Sequence, residues 1–106
     1  MQKNDKFLGI LGLSRRAGKI ILGAAATQGM RGQAKLVILA KDASQNTEND
    51  VLWLCEKHKI KFIKTDYTKE ELGGACGYKQ AAVVTVTDSN FVKTLLNISD
   101  ISEVTK

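Results

Sequence analysis

The chain is 106 residues long, 43% hydrophobic and 25% charged, and contains no proline. That size fits one domain around one core and excludes two, and no apolar run nears the ~20 residues of a membrane span. The net charge of +5 is uneven: residues 1–41 carry eight bases and one acid (+7), residues 42–106 eight bases and ten acids (−2). This asymmetry points to an oriented face for a polyanion, against the plainer reading of a basic surface that serves only solubility.

In chain order, the opening MQKNDKFLGI meets Asp5 and Lys6 before any apolar segment, unlike a signal peptide, so a cytoplasmic protein is expected. Asn4 or Asp5 can cap a first helix in which Phe7, Leu8, Leu11 and Ser14/Arg15 follow helical spacing, with Gly18 as its stop. KIIL (19–22) is short and β-branched, as a buried strand would be, and GAAATQGMRG (23–32) reads as a short, weak helix. KLVILA (35–40) lacks polar alternation and predicts a strand covered on both faces.

In residues 42–59, Val51, Leu54, Cys55 and His58 recur at helical spacing behind Ser and Thr capping candidates. IKFIKT (60–65) predicts a strand with Ile60 and Phe62 on one face. Thr68 and Glu71 have capping-box spacing for a helix that Gly77 can end. AAVVTVT (81–87) is the last strand, and Asp88 or Ser89 caps NFVKTLLNI. Residues 97–106 read as a frayed end or flexible tail of the single domain 1–106. Alternation of five helices with four strands argues for a sheet covered by helices, the α/β class.

Few residues suggest catalysis or metal binding. LGLSRRAGKI (11–20) fails as a phosphate-binding P-loop, because five residues separate Gly12 from Gly18 and Ile20 follows Lys19 where a hydroxyl is needed. Cys55 and Cys76, 21 positions apart, read as buried reduced thiols, and with His58 they fall short of a zinc ligand set. His58, the single histidine, is expected to pack or cap at a helix end, and Trp53, off the 51-54-55-58 stripe, is expected to pack. There is no nucleophile–base pair, so neither catalytic residue, metal nor cofactor is expected.

At LVILAKDAS, LCEKHKIKF, TKEELGGACG and AAVVTVTD the chain resembles the kink-turn RNA-binding ribosomal protein family of the L7Ae/L30e type, nearest to its small bacterial YlxQ-like members. The likeness runs from about Phe7 to Leu96 and implies a three-layer α/β/α sandwich with a four-stranded mixed sheet. It places RNA across three neighbouring segments. These are the turn Gly23-Ala24-Ala25-Ala26-Thr27, the loop Lys41–Ser44, and the stretch from Lys69 through Gly74 to Lys79. A helix start offers free N–H groups to a phosphate, small residues allow close approach, and Lys41, Lys69 and Lys79 neutralise charge. The small surface GGACG is expected to accept a splayed nucleotide.

Kink-turn binders of the family carry an Asn-Glu pair just after that glycine. Ala25-Ala26 stands here instead, which implies backbone binding rather than base-edge readout. Arg15, Arg16 and Lys19 are expected to close the first helix beside the Gly23 turn and to pair with phosphates, three cations being more than a helix dipole explains. The reading is a monomeric, non-catalytic, ribosome-associated protein whose partner is structured RNA, ribosomal RNA included, with no membrane partner. The alternative is a protein-interaction adaptor on the same fold.

Overall fold

The structure is a computed structural model that describes residues 5–22 and 34–99. The first helix, α1 (Asp5–Arg16), buries Phe7, Leu11 and Ser14 completely. Each large apolar side chain contributes about 1.5–3 kcal/mol by leaving water, and the Ser14 hydroxyl is satisfied by donating to the Ile10 carbonyl at 2.8 Å. Gly18, at φ 71, ends the helix as expected. The Lys19 amide returns to the Ser14 carbonyl at 2.9 Å and the Gly18 amide to Arg15 at 3.0 Å, the paired bonds of a left-handed helix stop.

The four expected strands form β1 (Ile20–Leu22), β2 (Leu36–Leu39), β3 (Lys61–Lys64) and β4 (Val83–Val86). They make one mixed sheet in the order β1-β4-β2-β3. β4 is antiparallel to both neighbours, with Val86 opposite Ile20 and Leu36, and β2 runs parallel to β3 with Leu36 opposite Lys61. The small-residue helix expected at 23–32 lies outside the described residues.

Capping chemistry starts each remaining helix. Ser44 accepts the Thr47 amide at 3.1 Å to open α2 (Gln45–His58). Thr68 and Glu71 exchange bonds of 3.1 and 2.9 Å at the start of α3 (Lys69–Ala75), as their spacing predicted. The Asp88 carboxylate accepts the amides of Asn90 and Phe91 ahead of α4 (Ser89–Ser99). Positions 97–99, read from sequence as the start of a tail, continue this helix, and 100–106 lie outside the described residues.

Period-two alternation sorts the sheet residues into two cores. On one face Leu36, Ile38, Ile63, Val84 and Val86 meet Phe7 and Leu11 of α1, Leu72 of α3, and Val92 and Leu95 of α4. On the other, Val37, Leu39 and Val83 meet Val51 and Cys55 of α2, with Ile60 and Phe62 alongside as predicted. A three-layer α/β/α arrangement results. Trp53 departs from expectation. The stripe Val51–Leu54–Cys55 turns to the sheet, so Trp53 projects outward, 57% exposed, with the Lys57 ammonium 4.7 Å from its ring centroid.

α3 is held unusually close to the segment after it. A Cβ on Gly73 would lie 2.4 Å from the Gln80 Cα, whereas one on Gly74 would meet nothing within 4 Å. The adjacent glycines should therefore respond oppositely to alanine. Gly73→Ala forces backbone apart and is expected to cost about 1–3 kcal/mol or more. Gly74→Ala removes a flexible residue from a helix and is expected to stabilise by up to about 1 kcal/mol. Urea titration of both variants checks the pair, and equal effects would contradict the packing described.

Candidate nucleic-acid interface

Two groups of the sequence-predicted residues are assembled by the fold. The first lies where β2 and β3 end. The Thr65 hydroxyl donates to the Leu39 carbonyl at 2.9 Å and accepts the Tyr67 amide at 3.2 Å. The Lys41 amide donates to the Tyr67 carbonyl at 2.8 Å, and the Lys69 amide to the Asp42 carboxylate at 2.8 Å. This lacing joins the Lys41–Ser44 loop to the start of α3, so Lys41 and Lys69 share one end of the sheet. The Ser44 hydroxyl there is engaged as a helix cap, also donating to Thr47 Oγ1 at 2.9 Å.

The second group lines an open groove of about 420 Å³ between α1 and α3. Arg15 and Arg16 stand on one side with Leu8, Gly9, Gly12 and Leu13, and Gly74, Ala75 and Gly77 on the other. Glycine makes the approach possible, since a Cβ on Gly12 would sit 3.1 Å from the Ala75 carbonyl oxygen. A Cβ on Gly77 (φ 78) would sit 3.3 Å from the Arg15 guanidinium carbon. Arg15 is therefore seated at the C-terminal end of α3, where the negative end of the helix dipole favours a cation, with its guanidinium 5.8 Å from the Tyr78 ring centroid.

One expectation needs correction. The run GGACG is not uniformly open: Gly73 and Cys76 are buried, and Gly74 and Gly77 alone within it are exposed. The cause is the Gln80 backbone, which occupies the space over Gly73. Lys19 follows the stop of α1, and the Gly23 turn it was expected to adjoin lies outside the described residues. Lys19 precedes β1, where its carbonyl accepts the Thr87 amide at 2.8 Å and the Thr87 hydroxyl at 3.0 Å.

Gly23, Ala24, Ala25 and Thr27 lie outside the described residues. Lys79 is exposed on the segment that leads from α3 back to β4. Sequence reading missed Tyr78, 51% exposed, and Leu13, 50% exposed, which flank the arginines. The signal available was an aromatic directly after the glycine that stops a helix. The arrangement offers guanidinium groups, an aromatic face and an open glycine surface, features that suit a phosphate beside a planar base.

The thiols lie on opposite faces of the sheet, Cys76 in the core under α1 and α3, Cys55 in the core under α2. Among the described residues no three His, Cys, Asp or Glu side chains cluster for a metal, and no helix is long and apolar enough to cross a membrane.

A model of the ribosomal protein L7Ae/L30e/S12e/Gadd45 family matches residues 5–96, and the chain belongs to that family. Its relatives include the RNA-binding protein YlxQ of Bacillus subtilis, 34% identical over 93 residues that cover 86% of this chain and 92% of that protein. A Bacillus halodurans protein of unknown function has a similar structure, with a TM-score of 0.80 at 32% identity, covering 92% of this chain and 100% of that one. The 15.5kD RNA-binding protein of Giardia lamblia shares the fold at a TM-score of 0.71 and 23% identity, over 92% of this chain and 91% of its own.

Burial pushes both thiols from 9.0 up to about 11, and at Cys76 the nearby Arg15 charge offsets part of the rise. The folded state thus holds its proton more tightly than the unfolded chain. The associated stability is complete below about pH 9 and is lost as pH rises from 9 toward 11. Melting curves across that window should show wild type losing more stability than a Cys55→Ala/Cys76→Ala variant. Iodoacetamide should modify neither thiol rapidly before urea is added, and rapid native labelling would contradict their placement.

Proposed function

We propose that this protein is a non-catalytic RNA-binding module that holds kinked or bulged structured RNA through its phosphates. The observation that carries this reading is the groove between α1 and α3, where Arg15 and Arg16 face the open backbone of Gly74 and Gly77 beside the Tyr78 ring. Guanidinium groups take phosphate oxygens in pairs, and a surface without side chains lets a ribose or base come close. Lys41 and Lys69 add cations near the start of α3 and Lys79 adds one after its end. Family membership and the name of the Bacillus subtilis relative support RNA as the polyanion. We further propose that the protein works in the cytoplasm as a monomer on ribosomal RNA.

Phosphate contacts position an RNA without reading its sequence. Replacing Arg16, Lys41, Lys69 or Lys79 with alanine should therefore weaken binding about equally for every sequence. Each change should lower the salt slope by roughly 0.7–0.9. Lys19, which is not among the residues lining the groove, should matter less. Gly74→Leu should instead lower affinity at every salt concentration with little change in slope, because it blocks approach without removing charge. Ala25→Asn with Ala26→Glu should raise preference for a kink-turn over a plain duplex.

Titrations at several salt concentrations against a kink-turn, a bulged stem and a duplex check these outcomes. If wild type binds none of them better than an unrelated basic protein does, the reading fails. The adaptor reading, which the Ala25-Ala26 pair and the exposed Trp53 favour, then takes over. Partners that survive nuclease treatment in a pull-down would identify it.

A further inference from the structure

A second groove, of about 400 Å³, lies at the end of the sheet where β2 and β3 begin. It shares no residue with the groove between α1 and α3. Lys35, Lys59, Lys61 and Lys93 line it together with His58. These cations come from four places: the residue before β2, the end of α2, the first residue of β3 and the second turn of α4. The register brings them together, since Leu36 lies opposite Lys61 and the Lys35 amide is bonded to Val86 at 2.8 Å, just before α4. Among the described residues none of the four lysines is in an ion pair. Among the described residues no acid lines the groove, and the carboxylate of Asp88 beside it is engaged by the amides of Asn90 and Phe91.

Lys59 adds an independent observation. It ends α2 in the left-handed conformation, φ 57 and ψ 46, with the Ile60 amide returning to the Cys55 carbonyl at 2.8 Å and its own amide to Glu56 at 3.4 Å. α1 and α3 end in the same bonded pattern, and there the residue is Gly18 or Gly77. A side chain is disfavoured in this conformation. The chain nonetheless places a lysine at the position where α1 and α3 use glycine, and that lysine is among the residues lining the groove.

We propose that this lysine-lined groove is a second RNA-contacting site, which takes the phosphates of a short single-stranded segment. The inference rests on the RNA-binding reading above. An acidic protein segment is the less favoured occupant. The groove's apolar floor offers little area to remove from water, Ile60 being 5% and Val92 7% exposed, and lysine is depleted where proteins bury surface against each other. What remains is attraction between uncompensated point charges and a dense, evenly charged chain, which is the physics of phosphate-backbone binding.

The test is nuclear magnetic resonance on isotope-labelled protein, titrated with an oligouridylate too short to reach both grooves. Amide signals of Lys35, Lys59, Lys61 and Lys93 should shift saturably, with a midpoint distinct from that of Arg16 and Gly74 and a strong dependence on salt. Lys59→Gly, which relieves the disfavoured conformation, should melt at or above the wild-type temperature yet weaken binding at this groove. Lys61→Glu with Lys93→Glu should weaken it by about tenfold or more. Neither change should alter the midpoint read at Arg16 and Gly74.

Shifts at Arg16 and Gly74 with none at the lysine groove would overturn this inference alone. So would shifts there that the lysine variants leave intact, or a groove that responds to polyglutamate and not to RNA. Absence of shifts at both grooves would overturn it together with the reading on which it rests.

Discussion

Backbone meets backbone where Gly73 of α3 lies against Gln80, and the arrangement of the molecule depends on that contact. β4 must run antiparallel between β1 and β2, so the chain has to reverse as soon as α3 ends. The reversal uses Gly77 at φ 78 and a 2.8 Å bond from the Tyr78 amide to the Gly73 carbonyl. The returning segment then passes so close to α3 that a Cβ at position 73 would collide with it, and it reaches Ala81, whose amide donates to the Lys69 carbonyl at 2.8 Å. Side chains could not fill this space without prising the sheet's central strand from its helix.

The same reversal produces the groove. With α3 held against its own return, its other side faces α1, and Gly12 lets the two helices close to near contact with the Ala75 carbonyl. Arg15 and Arg16 leave the last turn of α1 at that seam. They are exposed because the buried stripe of Phe7, Leu11 and Ser14 has taken the opposite side of the helix. Packing and exposure thus divide one short run of glycines. Gly73 serves the fold, while Gly74 and Gly77 present open backbone to solvent.

Charge along the chain did not foretell charge in space. The halves of +7 and −2 suggested a single basic face. The fold instead sets Lys35, from the basic half, beside Lys59, Lys61 and Lys93 from the acidic one. The acids of that second half are partly absorbed elsewhere, Glu48 by Lys64 at 2.9 Å and Asp42 and Asp88 by backbone amides. Trp53, expected to pack, faces outward because its helix buries a different stripe.

What could be read from sequence alone was what is local. Ser44, Thr68 with Glu71, and Asp88 marked helix starts, and Gly18 and Gly77 marked stops, because each cap is made among residues no more than five positions apart. The runs at 35–40 and 81–86 declared a sheet covered on both faces, because burial on both sides leaves no place for polar alternation. Strand order, the division of Gly73 from Gly74, the partnership of Arg15 with Tyr78 and the gathering of four lysines were decided only in the tertiary structure. Each joins residues distant in the chain, and such contacts are set by how helices and strands fill space together, which no local pattern encodes.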